Sequence, residues 1–461
     1  MMLWKYIKDA LLRHPTQIVR EQQAQMSYEE LVVFSERFAC KIAGEQCCVI
    51  MCESEMAAAM ALLSCFAAGV TAVPLSIKYG VKHCTRILDM ISPTAVITDL
   101  NGELQVMYLS SSGYIEPPEH AALIMCTSGT TGRPKGAMLS ERNILTNVKD
   151  IAAYLQMDKE DTILIARPLY HCAVLTGEFL TSLIKGMKIQ FYSKPFNPQV
   201  LLDLIAENNI TVFCGTPTLL SMLARFQERQ APSTLKVISI SGECMSTEVG
   251  EQILKAFPNT DIYHVYGLTE ACPRVSYLPP FLFKEHMDSV GMPLKSVSVR
   301  IVTADGKDAK IGETGELWVC GGNVMLGYYN APEQTKKVLN GKWLRTGDIA
   351  MLDKDGLLKI KGRSDDLIIR AGMNIYPQEI EGALKADTRV KEVLAFGIPS
   401  RRMSMRIGIK IAGDFANTDE VKKLCMELLP SYQVPSVIIL LDELPQNGSG
   451  KILRGEYYAG I

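Results

Sequence analysis

The stretch "ALIMCTSGTTGRPKG", Ala122 to Gly136, decides how the fold is read. Ala122 to Cys126 is a short apolar run of strand character that stops at a turn. The turn, Thr127 to Gly136, packs three glycines, four hydroxyl residues, an arginine and a lysine into ten positions. Glycines let backbone N–H groups approach a ligand closely, and hydroxyls and Lys135 add further donors. That combination suits a phosphate cradle. The loop does not satisfy the P-loop pattern GxxxxGK[ST]. A helix-like segment, "SERNILTNVKDIAAYL", follows it.

The same alternation extends outward from about residue 47 to 265. Apolar, β-rich runs such as "CCVIM", "AVITD", "TILIARP", "KIQFYS", "TVFCGTP", "KVISISG" and "DIYHVYG" are separated by periodic segments such as "NPQVLLDLIAENN" and "TLLSMLARFQERQ". Strands separated by helix-length inserts predict an α/β fold with parallel sheets and ligands at the strands' carboxyl ends. After Gly291 the punctuation becomes antiparallel: "SVSVRIV", "GELWVCG" and "GLLKIKGR" are joined by "ADGKD", "IGETG" and "DKDG". A small α+β unit follows from Asp365. The expected organisation is therefore a large N-terminal region, 1–364, with a small β-barrel at about 291–363. A C-terminal domain, 365–461, completes it.

Composition narrows the function classes. Of 461 residues, 48% are hydrophobic and 21% charged, which is globular. A net charge of −2 gives no reason to expect a nucleic-acid partner. Thirteen cysteines without a CxxC pair read as reduced thiols of a cytoplasmic protein, not a zinc site. Met56 to Ser76 carries no charge and has the length of a membrane span. Its alanines, Gly69 and Pro74 instead predict a buried helix, a stop and a short strand.

The glycine-threonine loop is followed in order by "YGLTE", "WLRTGD", "KGRSDD", "IIRAGMNIYPQEIE" and "NGSGKILR". This series resembles the adenylate-forming superfamily, whose members include acyl- and aryl-CoA ligases, peptide-synthetase adenylation domains and luciferases. The resemblance spans essentially the whole chain and is closest to the free-standing acyl/aryl-CoA ligases. It implies that a carboxylate attacks the α-phosphate of ATP, and that a thiol then displaces AMP from the acyl-adenylate.

The resemblance also implies roles for particular residues. Thr127, Ser128, Gly129, Thr130, Thr131, Gly132 and Lys135 cover the phosphates. Tyr266 lies along the adenine, with His264 and Gly267 in the same segment; Gly242 and Glu243 belong to the opposite wall. Thr269 contacts phosphate, and Glu270 helps to hold Mg²⁺. Asp348 and Arg363 meet the ribose. Lys451 neutralises charge between carboxylate and α-phosphate, Asp365 is a hinge, and Gly372 lines the pantetheine tunnel.

The acid pocket is less explicit. "PLYHCAVLTGEF" resembles the "PLFH" segment of the CoA ligases and places His171 beside the reacting centre. Cys172, at the position where amino-acid-activating domains carry an aspartate, cannot pair with a substrate ammonium and argues against an α-amino acid substrate. Cys172, Cys214, Cys244 and Cys272 read as apolar wall residues, and Arg274 reads either as a reader of a second substrate carboxylate or carbonyl or as a structural ion-pair partner. The segment "GIPSRRMSMR" departs from the family pattern and gathers Arg401, Arg402 and Arg406, which suit either CoA phosphates or an acidic carrier protein. The leading expectation is an acid–thiol ligase using CoA, as a monomer or homodimer. The alternatives are transfer to a carrier-protein phosphopantetheine and a nucleotide-binding protein that has lost catalysis. The intact set Glu270, Asp348, Arg363 and Lys451 argues against the last.

Overall fold

The computed structural model describes residues 2–109, 113–128, 134–227, 233–370, 373–400 and 404–444. Two large sheets dominate it. In the nine-stranded sheet, Ile18–Glu21, Lys188–Phe191, Thr162–Ile165, Val212–Gly215, Val237–Ile240 and Asp261–Gly267 run parallel in that spatial order. Arg274–Leu278 adds antiparallel beside Asp261–Gly267. In the seven-stranded sheet, Leu123–Ser128, Thr71–Pro74, Cys47–Met51 and Ala95–Leu100 form the parallel centre. The central strands Cys47–Met51, Thr71–Pro74, Val212–Gly215 and Val237–Ile240 are almost wholly buried, which is why they read as apolar runs with little polar alternation.

The charge-free stretch folds as expected from its composition. Helix Glu55–Ala68 is capped by Ser54 and stopped by Gly69 in the left-handed conformation, and strand Thr71–Pro74 follows. No described helix is long and apolar enough to cross a membrane.

The phosphate loop differs in one respect from its sequence reading. Strand Pro134–Leu139 intervenes before helix Glu141–Tyr154 and pairs antiparallel with Leu123–Ser128. The described residues on either side of the loop thus belong to paired strands, and the helix begins only at Glu141. The helix start is occupied by its own capping box, Ser140 with Asn143. Asn143 Nδ2 also donates to the carbonyls of Gly322 and Val324, both at 2.8 Å. Met325 N in turn donates to Glu270 O at 2.9 Å, so this helix fixes the backbone beside Glu270.

The segment expected as a small barrel is a five-stranded antiparallel sheet within 297–363. Among the described residues its outer strands, Val297–Val302 and Leu358–Arg363, do not pair with each other to close it. The C-terminal unit has a separate five-stranded sheet and its own core, including Ile380, Leu384, Ile407, Ile409, Ile411 and Leu424. Polar contacts join it to the preceding sheet: Lys361 lies 3.6 Å from Glu379, and Gly362 leaves room for Gln378, whose Oε1 a Cβ would meet at 2.3 Å. Asp365 lies exposed in the single turn Ser364–Asp366 between the two sheets.

Candidate active site

Asp348 is the best-anchored acidic group at the strand ends. It is buried, and strand Trp343–Leu352 carries it opposite Arg363 in the ladder. Its Oδ1 accepts from Arg363 Nη1 at 3.1 Å, and its Oδ2 accepts from the Tyr266 hydroxyl. Arg363 Nη1 also donates to Thr346 O at 2.9 Å. Gly347 makes this geometry possible, because its φ is +72° and a Cβ there would stand 3.0 Å from Arg363 Nη2. Burial and the neighbouring Asp348 charge push the Tyr266 phenol well above its ordinary pKa, so it stays a neutral donor.

A second polar group lies within reach of the first. Strand Gly327–Tyr328 pairs with Pro134–Leu139 and sets Tyr328 against Glu270, whose Oε1 accepts the phenol proton at 2.7 Å. Lys135 places its ammonium 5.1 Å from the Tyr328 ring centroid, a cation–π contact. Arg363 feels the charges of both Asp348 and Glu270, which unites the two groups into one polar wall. Among the described residues the second Glu270 oxygen takes no hydrogen bond. A half-buried carboxylate with one oxygen steadied and the other free is the kind of hard oxygen ligand Mg²⁺ takes.

Backbone form explains the neighbouring positions. Gly267 follows a bulge, and a Cβ on it would meet Pro273 O at 2.1 Å. Thr269 and Glu270 lie in the short turn Thr269–Ala271 directly after strand Asp261–Gly267. Gly242 has φ +94°, and Glu243 accepts hydrogen bonds from Thr218 N and Oγ1 at 3.2 and 2.7 Å. His264 is not brought to this surface: it is buried, tied to the backbone near Met287 and Ser289, and its pKa is depressed to about 4 by desolvation.

A further cluster of side chains is largely buried and strongly charged. Arg167 and Glu178 form an ion pair at 2.5 Å, and Arg274 lies close enough for Glu178 to feel its charge. Glu178 stands in the π-helical turn Leu175–Leu180, a form of helix over-represented at functional sites. Cys172, Cys214 and Cys272 are buried as expected, and burial raises the Cys214 and Cys272 thiols away from nucleophilic character. Cys244 is exposed, because it lies beyond the end of strand Val237–Ile240, so the wall role expected of it fails. His171 is part-exposed at the N-terminus of the short helix Cys172–Val174, with Tyr170 tilted against it at 4.4 Å.

Gly129, Thr130, Thr131, Gly132, Gly372, Arg401, Arg402 and Lys451 lie outside the described residues, and Thr127 and Ser128 close the strand before the loop. Sequence reasoning missed Tyr328, Arg167 and Glu178. A signal for the last existed, since Glu178 is a lone charge inside the apolar run "CAVLTGEFLTSLI".

Comparison with known proteins bears directly on this geometry. The AMP-binding enzyme family matches residues 110–329, and the AMP-binding enzyme C-terminal domain matches 379–451. A feruloyl-CoA synthase of an Amycolatopsis species is 31% identical over 418 residues, covering 86% of this chain and 84% of its own. A long-chain-fatty-acid–CoA ligase of Salmonella typhimurium is 35% identical over 397 residues, covering 84% and 70%. The structure of Bacillus subtilis o-succinylbenzoate CoA synthetase with its acyl-adenylate intermediate superposes with a TM-score of 0.87. It is 27% identical, covering 99% of this chain and 98% of that one. The chain belongs to the AMP-binding enzymes, the adenylate-forming superfamily, as an ATP-dependent, AMP-forming acid–thiol ligase.

Proposed function

We propose that the polar wall of Tyr266, Glu270, Tyr328, Asp348 and Arg363 holds ATP while an acyl or aryl carboxylic acid is activated and then passed to CoA. The observation that carries this reading is the position of Arg363, within electrostatic reach of both Asp348 and Glu270. In the first step a carboxylate oxygen attacks the α-phosphorus and the bond to pyrophosphate breaks. Asp348 accepts from the ribose hydroxyls, a task for which a carboxylate has two oxygens. The glycine-threonine loop with Lys135, and Thr269, receive the phosphates. Glu270 with Tyr328 would hold Mg²⁺, which supplies charge neutralisation on the phosphate oxygens. Lys451 offsets charge building between the carboxylate and the α-phosphate.

In the second step the thiol sulfur attacks the acyl carbon, the acyl–oxygen bond breaks and AMP leaves; the thiol proton is lost to solvent. His171 sits beside the reacting carbon and Gly372 beside the thiol arm. Residues 365–461 act as a lid that turns about Asp365, withdrawing Lys451 between steps. No disulfide joins any of the thirteen cysteines, which suits a reducing cytoplasm.

ATP–pyrophosphate exchange driven by a panel of carboxylic acids, followed by thioester detection, tests the reading. Exchange with at least one acid and a CoA thioester are expected; no exchange with any acid would sink it. Supplying CoA and a holo-carrier protein in competition separates the two acceptors, with CoA expected to win. Lys451→Ala should lower adenylation about 10²–10³-fold while sparing thiolation of supplied acyl-adenylate. Asp365→Pro should do the reverse. Equal damage to both steps in Lys451→Ala would refute the turning lid.

A further inference from the structure

Eight buried side-chain nitrogen or oxygen atoms among the described residues have no hydrogen-bond partner, and four of them sit together: Tyr154 Oη, Arg167 Nε, Glu178 Oε2 and Arg274 Nε. Polar atoms are rarely buried unsatisfied, and clustering of half of them in one place calls for a cause. The charges are also out of balance. Arg167 pairs with Glu178, while Arg274 makes no ion pair or side-chain hydrogen bond among the described residues although it is only 5% exposed. Two guanidinium groups share the one buried carboxylate, Glu178; the exposed Glu243 carboxylate acts on Arg167, which leaves Arg274 without a counter-charge of its own among the described residues. Such a charge is costly to bury unless something pairs with it.

The surroundings are built around that guanidinium. Asn147 clamps the Arg274 backbone, accepting from its N–H at 3.1 Å and donating to its carbonyl at 2.8 Å. Gly177, in the π-helical turn, leaves the space: a Cβ there would stand 3.1 Å from Arg274 Nη2. The Tyr154 hydroxyl feels the Arg274 charge. Arg167 reaches within 3.5 Å of Ser241 Oγ, the residue before Gly242, so the cluster adjoins the strand end assigned to the nucleotide wall.

We infer that Arg274, with Arg167 and Glu178 setting its position, reads a second carboxylate on the substrate, remote from the carboxylate that is activated. This rests on the adenylating function proposed above. A guanidinium takes a carboxylate through two parallel N–H···O bonds, so the second group supplies both the missing charge and the missing acceptors. A site built for hydrogen bonds rejects an analogue that lacks the group more sharply than an apolar pocket rejects a missing methylene. An alkyl chain of equal length would leave Arg274 buried and unpaired.

The test is ATP–pyrophosphate exchange by the full chain with matched pairs: adipate against hexanoate, and terephthalate against p-toluate. In the wild type the diacid should exceed its monoacid partner about 10–100-fold in kcat/KM, most of it in the KM for the acid. Arg274→Met should bring that ratio to near one with the KM for ATP little moved. Glu178→Gln removes the buried negative charge of the cluster and should widen the ratio, an opposite sign that a merely structural role would not produce. Should Arg274→Met fail to fold, the wild-type ratio and Glu178→Gln still decide. Monoacids used as well as diacids by the wild type overturn the inference and leave the adenylating function standing. Exchange with no acid of any kind would overturn that function itself.

Discussion

The cluster proposed for the nucleotide (the nucleotide side) and the cluster proposed for the acid (the acid side) are both partly buried and polar, yet they solve the same problem differently. On the nucleotide side every central charge has a partner: Asp348 is held by Tyr266 and Arg363, and Glu270 by Tyr328. On the acid side a buried ion pair leaves a third charge over, and four polar atoms go unmatched. A network whose charged groups are each anchored by a neighbour is largely rigid before its ligand arrives, which favours a ligand common to every turnover. An unsatisfied one is completed by its ligand, which favours discrimination.

The comparison breaks most visibly at Asp348. Its replacement by Asn should lower kcat/KM for ATP about 100-fold, because it removes a charged acceptor and leaves Arg363 without its partner. The loss should be the same for every acid, measured by pyrophosphate exchange across the panel. An effect on one acid and not another would mean that the two sides are not separate. The Arg274 substitution is the mirror case, smaller and confined to diacids.

The two sides also differ in how well the sequence displays them. "YGLTE", "WLRTGD" and "KGR" are short because their residues act through backbone form: Gly267 and Gly347 tolerate positions where a Cβ would collide with Pro273 O or crowd Arg363, and the charged residue follows within three positions. Such sites are legible as motifs. Arg167, Glu178 and Arg274 come from three separate segments, joined only when the π-helical turn packs against strand Arg274–Leu278. Arg274 was visible as a candidate, but whether it had a partner was not, since that depends on tertiary packing. The fold was easier to read. Buried parallel strands announce themselves as apolar runs, whereas the short strand Gly327–Tyr328, which delivers Tyr328 to Glu270, is too brief to show any period. The hairpin partner Pro134–Leu139 was hidden for a related reason: its proline, lysine and glycine resemble a turn.

Tyr328 sharpens the nucleotide side. Phe at this position should leave Glu270 without its donor and weaken the divalent-cation site about 10-fold, the value of one hydrogen bond to a charged group. The measurement is the Mg²⁺ concentration giving half-maximal exchange, which should rise with little change in acid preference. An unmoved Mg²⁺ requirement would leave Tyr328 a packing residue only.

The smallest effects are on stability, and two largely buried titratable groups outside the charged clusters should give opposite signs. Strand Asp261–Gly267 on the nucleotide side carries His264, whose pKa burial depresses to about 4. The unfolded chain then binds more protons, so this group costs stability as pH falls from about 6.5 toward 4. At the start of helix Glu55–Ala68, Glu55, which accepts from Leu169 N at 2.9 Å, is raised by burial to about 7. Here the folded chain binds more protons, so stability is lost as pH rises from about 4.5 to 7. Glu55→Gln keeps an acceptor for Leu169 without the charge. It should stabilise the protein by about 1–2 kcal/mol at pH 8, with the residual exposure of Glu55 discounted, and leave it nearly unchanged at pH 4.5. Urea unfolding at the two pH values measures this, and a variant whose curve runs parallel to the wild type would remove Glu55 as the source of the alkaline loss. His264→Gln should flatten only the acid limb, so that each substitution straightens one arm of the pH profile and leaves the other.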